Sequence, residues 1–272
     1  MKADTHEDAQ RHAELALLLS DRDRDVIRAI GKHRVMTTHH LHALFFANVD
    51  TTRTRRRLKV LYDSGLLQRF RPSLRKGTAP WHWVLSPEGE RLLDDMTGAR
   101  RPYGAMTPAI RLAHSQRLGH FLGISETYVA FATAGRALPG EGLRGWRNEA
   151  ECAEKWDRRI FPDAWLLWAQ DGTDLGAFIE YDNGTEVLYS VAKKLRRYSD
   201  IAAVYGETCF VLFIVPAPGR EEALAQTLDL HMKERVQALL TTTGLLAHPG
   251  PAAAIWRTAQ DHYRMPLSAA ET

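Results

Sequence analysis

The stretch DTTRTRRRLKVLYDSG, residues 50–65, reads as a short basic helix with a signal at each end. Asp50 followed by two threonines supplies an N-cap, and Gly65 supplies a stop. Between them Leu58 and Leu61 fall three apart and share a face with Thr54, Tyr62 and Gly65. At about 100° per residue, the opposite face carries Thr52, Arg53, Arg56 and Lys59, with Arg55 and Arg57 on its flanks. The spacing predicts an outward basic ridge. A charge run is commonly just a solvated helix face, so the meaning of this one rests on its neighbours.

On its N-terminal side, Asp21 to Lys32 places Val26, Ile27 and Ile30 together, with Gly31 expected to end a first helix. Thr37 or Thr38 then caps a second, with Leu41, Leu44 and Phe45 turned inward. On its C-terminal side, LLQRFR (66–71) reads as a strand, PSLRKGTAP (72–80) as a loop and WHWVL (81–85) as a return strand. Three helices and a hairpin in this order make a winged helix-turn-helix, expected over residues 21–96. Such a fold docks a helix in the major groove while neighbouring elements grip phosphates. The hairpin tip brings Arg71, Arg75 and Lys76. Arginine can fork to guanine O6 and N7, and threonine can touch a thymine methyl or a phosphate. The expected partner is double-stranded DNA, contacted by Thr52, Arg53, Arg55, Arg56, Arg57, Lys59, Arg71, Arg75 and Lys76. A winged helix kept for protein contacts is the alternative.

Charge supports a polyanionic partner. The 272 residues carry a net +3, but residues 20–101 alone hold 17 Lys and Arg against 9 Asp and Glu. The three histidines His39, His40 and His42 have no carboxylate or cysteine at ligand spacing, so they read as exposed helix residues rather than a metal site. Cys152 and Cys209 are far apart, in no metal-like or redox-like spacing. With a charged start and no apolar run near about eighteen residues, neither signal peptide nor membrane span is expected, and the expected location is the cytoplasm.

Residues 1–20 read as a polar lead-in. Ser86-Pro87-Glu88 starts a further helix. Residues 97–108, TGARRPYGAMTP, have two glycines and two prolines and no apolar period, and are the expected linker. The second domain is expected over 109–257, with a tail at 258–272. Its predicted elements are a long helix from Pro108 to Ala134 and strands at 143–148, 160–168 and 175–182. A helix capped by Thr185 then runs to Tyr205, followed by the unbroken apolar strand CFVLFIV (209–215), a helix over 220–240 and a short strand near 253–256. The fold class is α/β in two domains, the second an αβββαβ sandwich.

With LYDSGLL, LSPEGERLL, AHSQRLGHFLG, FPDAWLL, FIEYDNGTE and KKLRRY in this order, the chain resembles the replication-relaxation family of plasmid and mobile-element proteins over roughly residues 20–257. That resemblance implies a DNA-binding domain followed by a PD-(D/E)XK nuclease-like domain. Pro162-Asp163 matches the first part of the nuclease motif, and Glu180-Tyr181-Asp182 takes the place of the second. Sites of that kind hold Mg²⁺ between carboxylates, so Asp163, Glu180 and Asp182 are the candidate metal ligands. Asp182 stands where the motif has its lysine, and Lys194 on the following helix is the better substitute than Lys193. Glu149 or Glu151 offers a further acidic ligand. Two readings stay open: a degenerate nuclease fold kept for binding, and a Mg²⁺-dependent endonuclease or nickase using Asp163, Glu180, Asp182 and Lys194. A homodimer is an open alternative too. A tyrosine relaxase lacks the His-hydrophobic-His cluster that would hold its metal.

Overall fold

The computed structural model describes residues 19–72, 77–98, 109–138 and 140–270. The expected wing residues Arg75 and Lys76, most of the lead-in and most of the expected linker lie outside them. The chain divides into two compact units, Met1–Ser125 and Glu126–Thr272, in a mixed α/β fold.

In the first unit, α1 (Asp21–His33) opens on a capping box in which the Ser20 side chain and Asp23 satisfy each other's backbone N–H groups. Gly31 does not end this helix. It lies within α1, and a Cβ there would come 2.1 Å from Leu93 Cδ2 on α4 (Pro87–Thr97), so glycine permits the close crossing of the two helices. Strand β1 (Met36–Thr37) leads into α2 (Thr38–Phe45), capped by Thr37. Next comes α3 (Thr51–Asp63), where Asp50 Oδ1 accepts the Thr52 N–H at 2.7 Å. Its buried face is Thr54, Leu58 and Leu61, whereas Tyr62 and Gly65, expected on the same face, are exposed.

Strands β2 (Leu67–Phe70) and β3 (His82–Leu85) pair antiparallel, and β1 joins the far side of β3 to give a sheet of order β1–β3–β2. The expected long helix from Pro108 is two helices, α5 (Ala109–Ala113) and α6 (Leu118–Ala134). The break falls where Ser115 Oγ takes the Arg117 N–H at 3.1 Å, giving the backbone a local partner. The division between units falls inside α6, at Ser125/Glu126, later than the linker expected at 97–108.

The second unit is built on a six-stranded sheet ordered β4 (Gly142–Asn148), β5 (Ala164–Gln170), β6 (Thr173–Tyr181), β7 (Cys209–Val215), β8 (Val236–Thr242) and β9 (Arg257–Thr258). The first three strands run antiparallel, β6–β7–β8 run parallel, and β9 returns antiparallel. Asp171 and Gly172, both at positive φ, close the β5–β6 hairpin in the two-residue manner that suits the strand twist. Strand β7 is buried along its whole length. Its Val211, Phe213 and Val215 pack with Val191, Leu195 and Tyr198 of α8 (Leu188–Tyr205) and with Leu224 and Leu228 of α9 (Pro218–Asp229). On α6, Phe131 meets Trp168 and Trp256 with ring centroids 5.2 Å and 6.1 Å apart.

Four sequence expectations change here. Helix α8 starts at Leu188 with Val187 as its cap residue, so Thr185 precedes the helix without capping it. Helix α7 (Glu149–Lys155) follows β4 directly, and the Glu151 carboxylate accepts the Asn148 N–H at 2.8 Å, which makes it a cap rather than an extra ligand. The helix expected over 220–240 stops at Asp229, because Val236–Thr242 gains a full parallel ladder beside β7. Within the expected tail, residues 258–270 pack onto the second unit. Arg264 forks onto Glu221 at 3.1 and 2.6 Å, Leu267 and Ala270 are buried, and Ser268 Oγ donates to Asp171 Oδ2 at 2.8 Å, at the β5–β6 turn.

Candidate nucleic-acid interface and carboxylate–lysine site

Between α3 and the β2–β3 hairpin lies a cleft of about 470 Å³. Thr52, Arg55, Arg56 and Lys59, one helical stripe, form the α3 wall. Arg69, Arg71, Trp81 and Trp83 form the other, and no acidic residue is among the described lining. The Arg69 guanidinium lies 4.1 Å from the Trp81 ring centroid and 4.6 Å from that of Tyr62, while Arg71 lies 4.0 Å from Trp81. Aromatic faces thus fix the direction of both arginines before any ligand arrives. Trp83 anchors this wall by donating its Nε1–H to Thr38 Oγ1 at 2.9 Å.

The expected ridge is therefore divided. Thr52, Arg55, Arg56 and Lys59 face a concave surface, Lys59 also meeting Asp63 at 2.6 Å, whereas the exposed Arg53 is not part of the lining. Arg57 is committed elsewhere. Its Nε donates to Asp23 Oδ1 at 2.7 Å and its Nη2 to Asp23 Oδ2, tying α3 to the start of α1. Burial works to raise the Asp23 carboxyl, but bonds from Arg57 and Ser20 hold it below the usual carboxylate range. Arg57 thus has a structural task that its place on the helical wheel does not reveal. Conversely, Arg69 was not expected in the interface; its signal was the alternation Arg69-Phe70-Arg71, which puts two cations on one side of an extended chain.

The histidines do not form a cluster. His39 is exposed at the cleft, His40 is buried with Nδ1 accepting the Thr37 N–H at 3.3 Å, and His42 Nδ1 meets Thr54 Oγ1 at 2.9 Å. Two depart from the expectation of three exposed residues: the capping box of α2 draws the His40 ring inward, and His42 is half-buried against Thr54.

In the second unit, Glu180 near the end of β6 is 2% exposed, and both its oxygens are engaged. Lys194 Nζ donates to Oε2 at 2.6 Å and the Tyr198 hydroxyl to Oε1, both from α8. Burial pushes the Glu180 carboxyl up to about 7 against the pull of Lys194, and Asp163 adds to the rise. Burial would lower the Lys194 ammonium, yet Glu180, with Asp163 and Glu186, holds it above its ordinary value. Burial and Glu180 together raise Tyr198 well above a free phenol. Asp163, just before β5, accepts the Tyr181 N–H at 2.8 Å. Asp163, Glu180 and Lys194 thus converge.

Asp182 does not join them. Strand β6 ends at Tyr181, so strict alternation no longer governs, and the Asp182 carboxylate instead takes Arg220 Nε at 2.6 Å and the Gly184 N–H at 2.8 Å. Among the described residues, no group of three or more His, Cys, Asp or Glu side chains is placed to hold a metal ion. In this arrangement the third carboxylate is turned to Arg220 and both Glu180 oxygens are held by Lys194 and Tyr198, so a Mg²⁺ ion would have to displace those bonds to gain its carboxylate ligands.

Fold and sites together define a two-unit α/β protein with a cation-rich cleft in one unit and a buried carboxylate–lysine pair in the other. The family model described as replication-relaxation matches residues 27–209, and the chain belongs to that family. The match takes in α3, the cleft, Asp163, Glu180 and Lys194, and stops at the first residue of β7. No curated protein and no solved structure matches the chain. No described helix is long and apolar enough to cross a membrane.

Proposed function

We propose that this is a double-stranded DNA-binding protein of a plasmid or other mobile element, acting in its replication, transfer or regulation. In this reading the first unit is a winged helix-turn-helix that grips the duplex through α3 and the β2–β3 hairpin. The second unit is a nuclease-like PD-(D/E)XK relative that has lost its metal site. The observation that carries the reading is the cleft wall of Arg55, Arg56, Lys59, Arg69 and Arg71 with no acidic residue among its described lining. Such a concentration of cations is costly to a folded domain unless a polyanion offsets their repulsion. Family membership agrees with a role on mobile-element DNA.

A salt titration tests the reading. Each phosphate contact contributes roughly 0.9 to the slope of log affinity against log salt. Arg55→Ala with Arg56→Ala, both in the cleft wall, is expected to make that slope shallower by about two. Unchanged binding and slope would remove α3 from the contact.

A Mg²⁺-dependent endonuclease or nickase is the second reading, favoured by the convergence of Asp163, Glu180 and Lys194. Incubating supercoiled plasmid with the protein and Mg²⁺ or Mn²⁺ decides it. Cleavage abolished by Asp163→Ala and by Glu180→Ala would establish the enzyme; no metal-dependent product leaves the binding role.

A further inference from the structure

We propose that the cleft beside α3 receives a single unpaired nucleotide, so that the protein prefers DNA carrying a bulge or a single-strand junction over a perfect duplex. The inference rests on the DNA-binding reading of the first unit and goes beyond it in naming what the cleft holds.

Three features carry it. At about 470 Å³ the cleft has the size of a small-ligand pocket, which runs from about 300 to 1,000 Å³, so a duplex whose phosphates meet the cations of its rim leaves room inside for one nucleotide and not for paired strands. Its cations are available: none of Arg55, Arg56, Arg69 and Arg71 is ion-paired to a described carboxylate, so a phosphate entering there meets guanidinium groups with donors to spare.

The third feature is aromatic. A phosphate alone needs cations and N–H donors, but here the Arg69 and Arg71 guanidinium groups lie 4.1 and 4.0 Å from the Trp81 ring centroid, beside Pro80, so a base entering the cleft meets guanidinium groups backed by an indole. Indole and guanidinium planes are stacking surfaces for a nucleobase. Bases inside B-form DNA are already stacked on their neighbours, so only an unpaired base is free to use such a wall. The exposed hydroxyls of Thr52 and Thr78 and the ring of His39 line the same space and offer hydrogen bonds to sugar or base edges.

The test uses the full chain and three fluorescent probes of one sequence: a perfect duplex, that duplex with one unpaired adenosine, and the single strand. Base–aromatic stacking of about 1–3 kcal/mol per base predicts roughly tenfold tighter binding to the bulged duplex than to the perfect one. Trp81→Leu is expected to bring that ratio close to one. Arg71→Lys, at an exposed position that keeps its charge but loses the planar stack, is expected to lower the ratio as well and guards against a misfolded Trp81 variant. Equal wild-type affinity for bulged and perfect duplex overturns the inference while leaving duplex binding intact. A preference that survives both substitutions also overturns it. Binding to the bulged or single-stranded probe without binding to the perfect duplex would support the inference and defeat the duplex reading; no binding to any probe defeats both.

Discussion

Replacing Arg57 with alanine separates its structural pairing with Asp23 from the DNA contact proposed for its neighbours on α3. The Asp23 side chain is fully buried, and that of Arg57 is 36% exposed. Two guanidinium donors face the two carboxylate oxygens, while Ser20 adds its N–H at 2.9 Å and its hydroxyl at 2.6 Å to Oδ2. Arg57→Ala leaves the Ser20 bonds but strips a buried anion of its cation. Breaking a buried pair costs roughly 3–5 kcal/mol, and the partial exposure of Arg57 reduces this to about 2–3 kcal/mol. Native-state hydrogen exchange on the full chain reads the loss directly as a lower opening free energy of amides in α1 and α3.

Arg53→Ala, at an exposed position, is the control and is expected to change stability by no more than about 0.5 kcal/mol. The sign with pH is fixed. Because Asp23 titrates lower when folded, its contribution is present above the unfolded value of 3.8 and is lost as pH falls through the lower folded value. Wild type and Arg57→Ala therefore begin to draw together as pH falls below about 4 and converge only below the folded value. An Arg57→Ala protein with wild-type exchange but DNA affinity as weak as Arg56→Ala would refute the reasoning and return Arg57 to the interface.

Burial, with Lys32 and His40 nearby, pulls His33 down to about 3 from 6.5, so the unfolded chain binds a proton that the folded chain refuses. Stability should fall by on the order of 4 kcal/mol as pH drops from 6.5 towards 3, and His33→Leu should flatten that fall in a pH series of urea melts. Lys194→Met should cost about 2–3 kcal/mol by leaving the buried Glu180 without its cation, again discounted for the partial exposure of Lys194. Wild-type exchange in α8 of that variant would show that the pair is not a structural element. Arg264→Ala should free residues 264–270 for protease cleavage by removing both bonds to the buried Glu221; a wild-type digestion pattern would contradict that role.

Local chemistry was legible in the sequence where the signal and the structure share a few residues. Asp50, Thr37 and Ser86 cap helices because their short side chains reach an N–H two or three residues ahead. The Asp171-Gly172 turn and the apolar run of β7 are equally local. Asn148 and Glu151 carried a readable capping box that would have placed α7. What escaped depends on partners distant in the chain. Arg57 looks like its neighbours until Asp23, 34 residues away, is folded against it. Asp182 shares a period-two face with Glu180 on paper until Arg220 claims it. Val236–Thr242 fits a helix until β7 offers a ladder. The concavity of the α3 face belongs to the same class, because a helical wheel shows which way a side chain points but not what wall stands opposite.

The clasp formed by residues 257–270 sets an order of events during synthesis. Chains emerge at about 5–20 residues per second, so the first unit, complete by Ser125, is made on the order of ten seconds before these residues appear. Once β8 is complete at Thr242, its outer edge lacks β9, Glu221 lacks Arg264, and the β5–β6 turn lacks Ser268 until these last residues are made. An unpaired edge strand invites pairing with other chains. The nascent second unit is therefore most exposed to misassembly just before residues 257–270 are added.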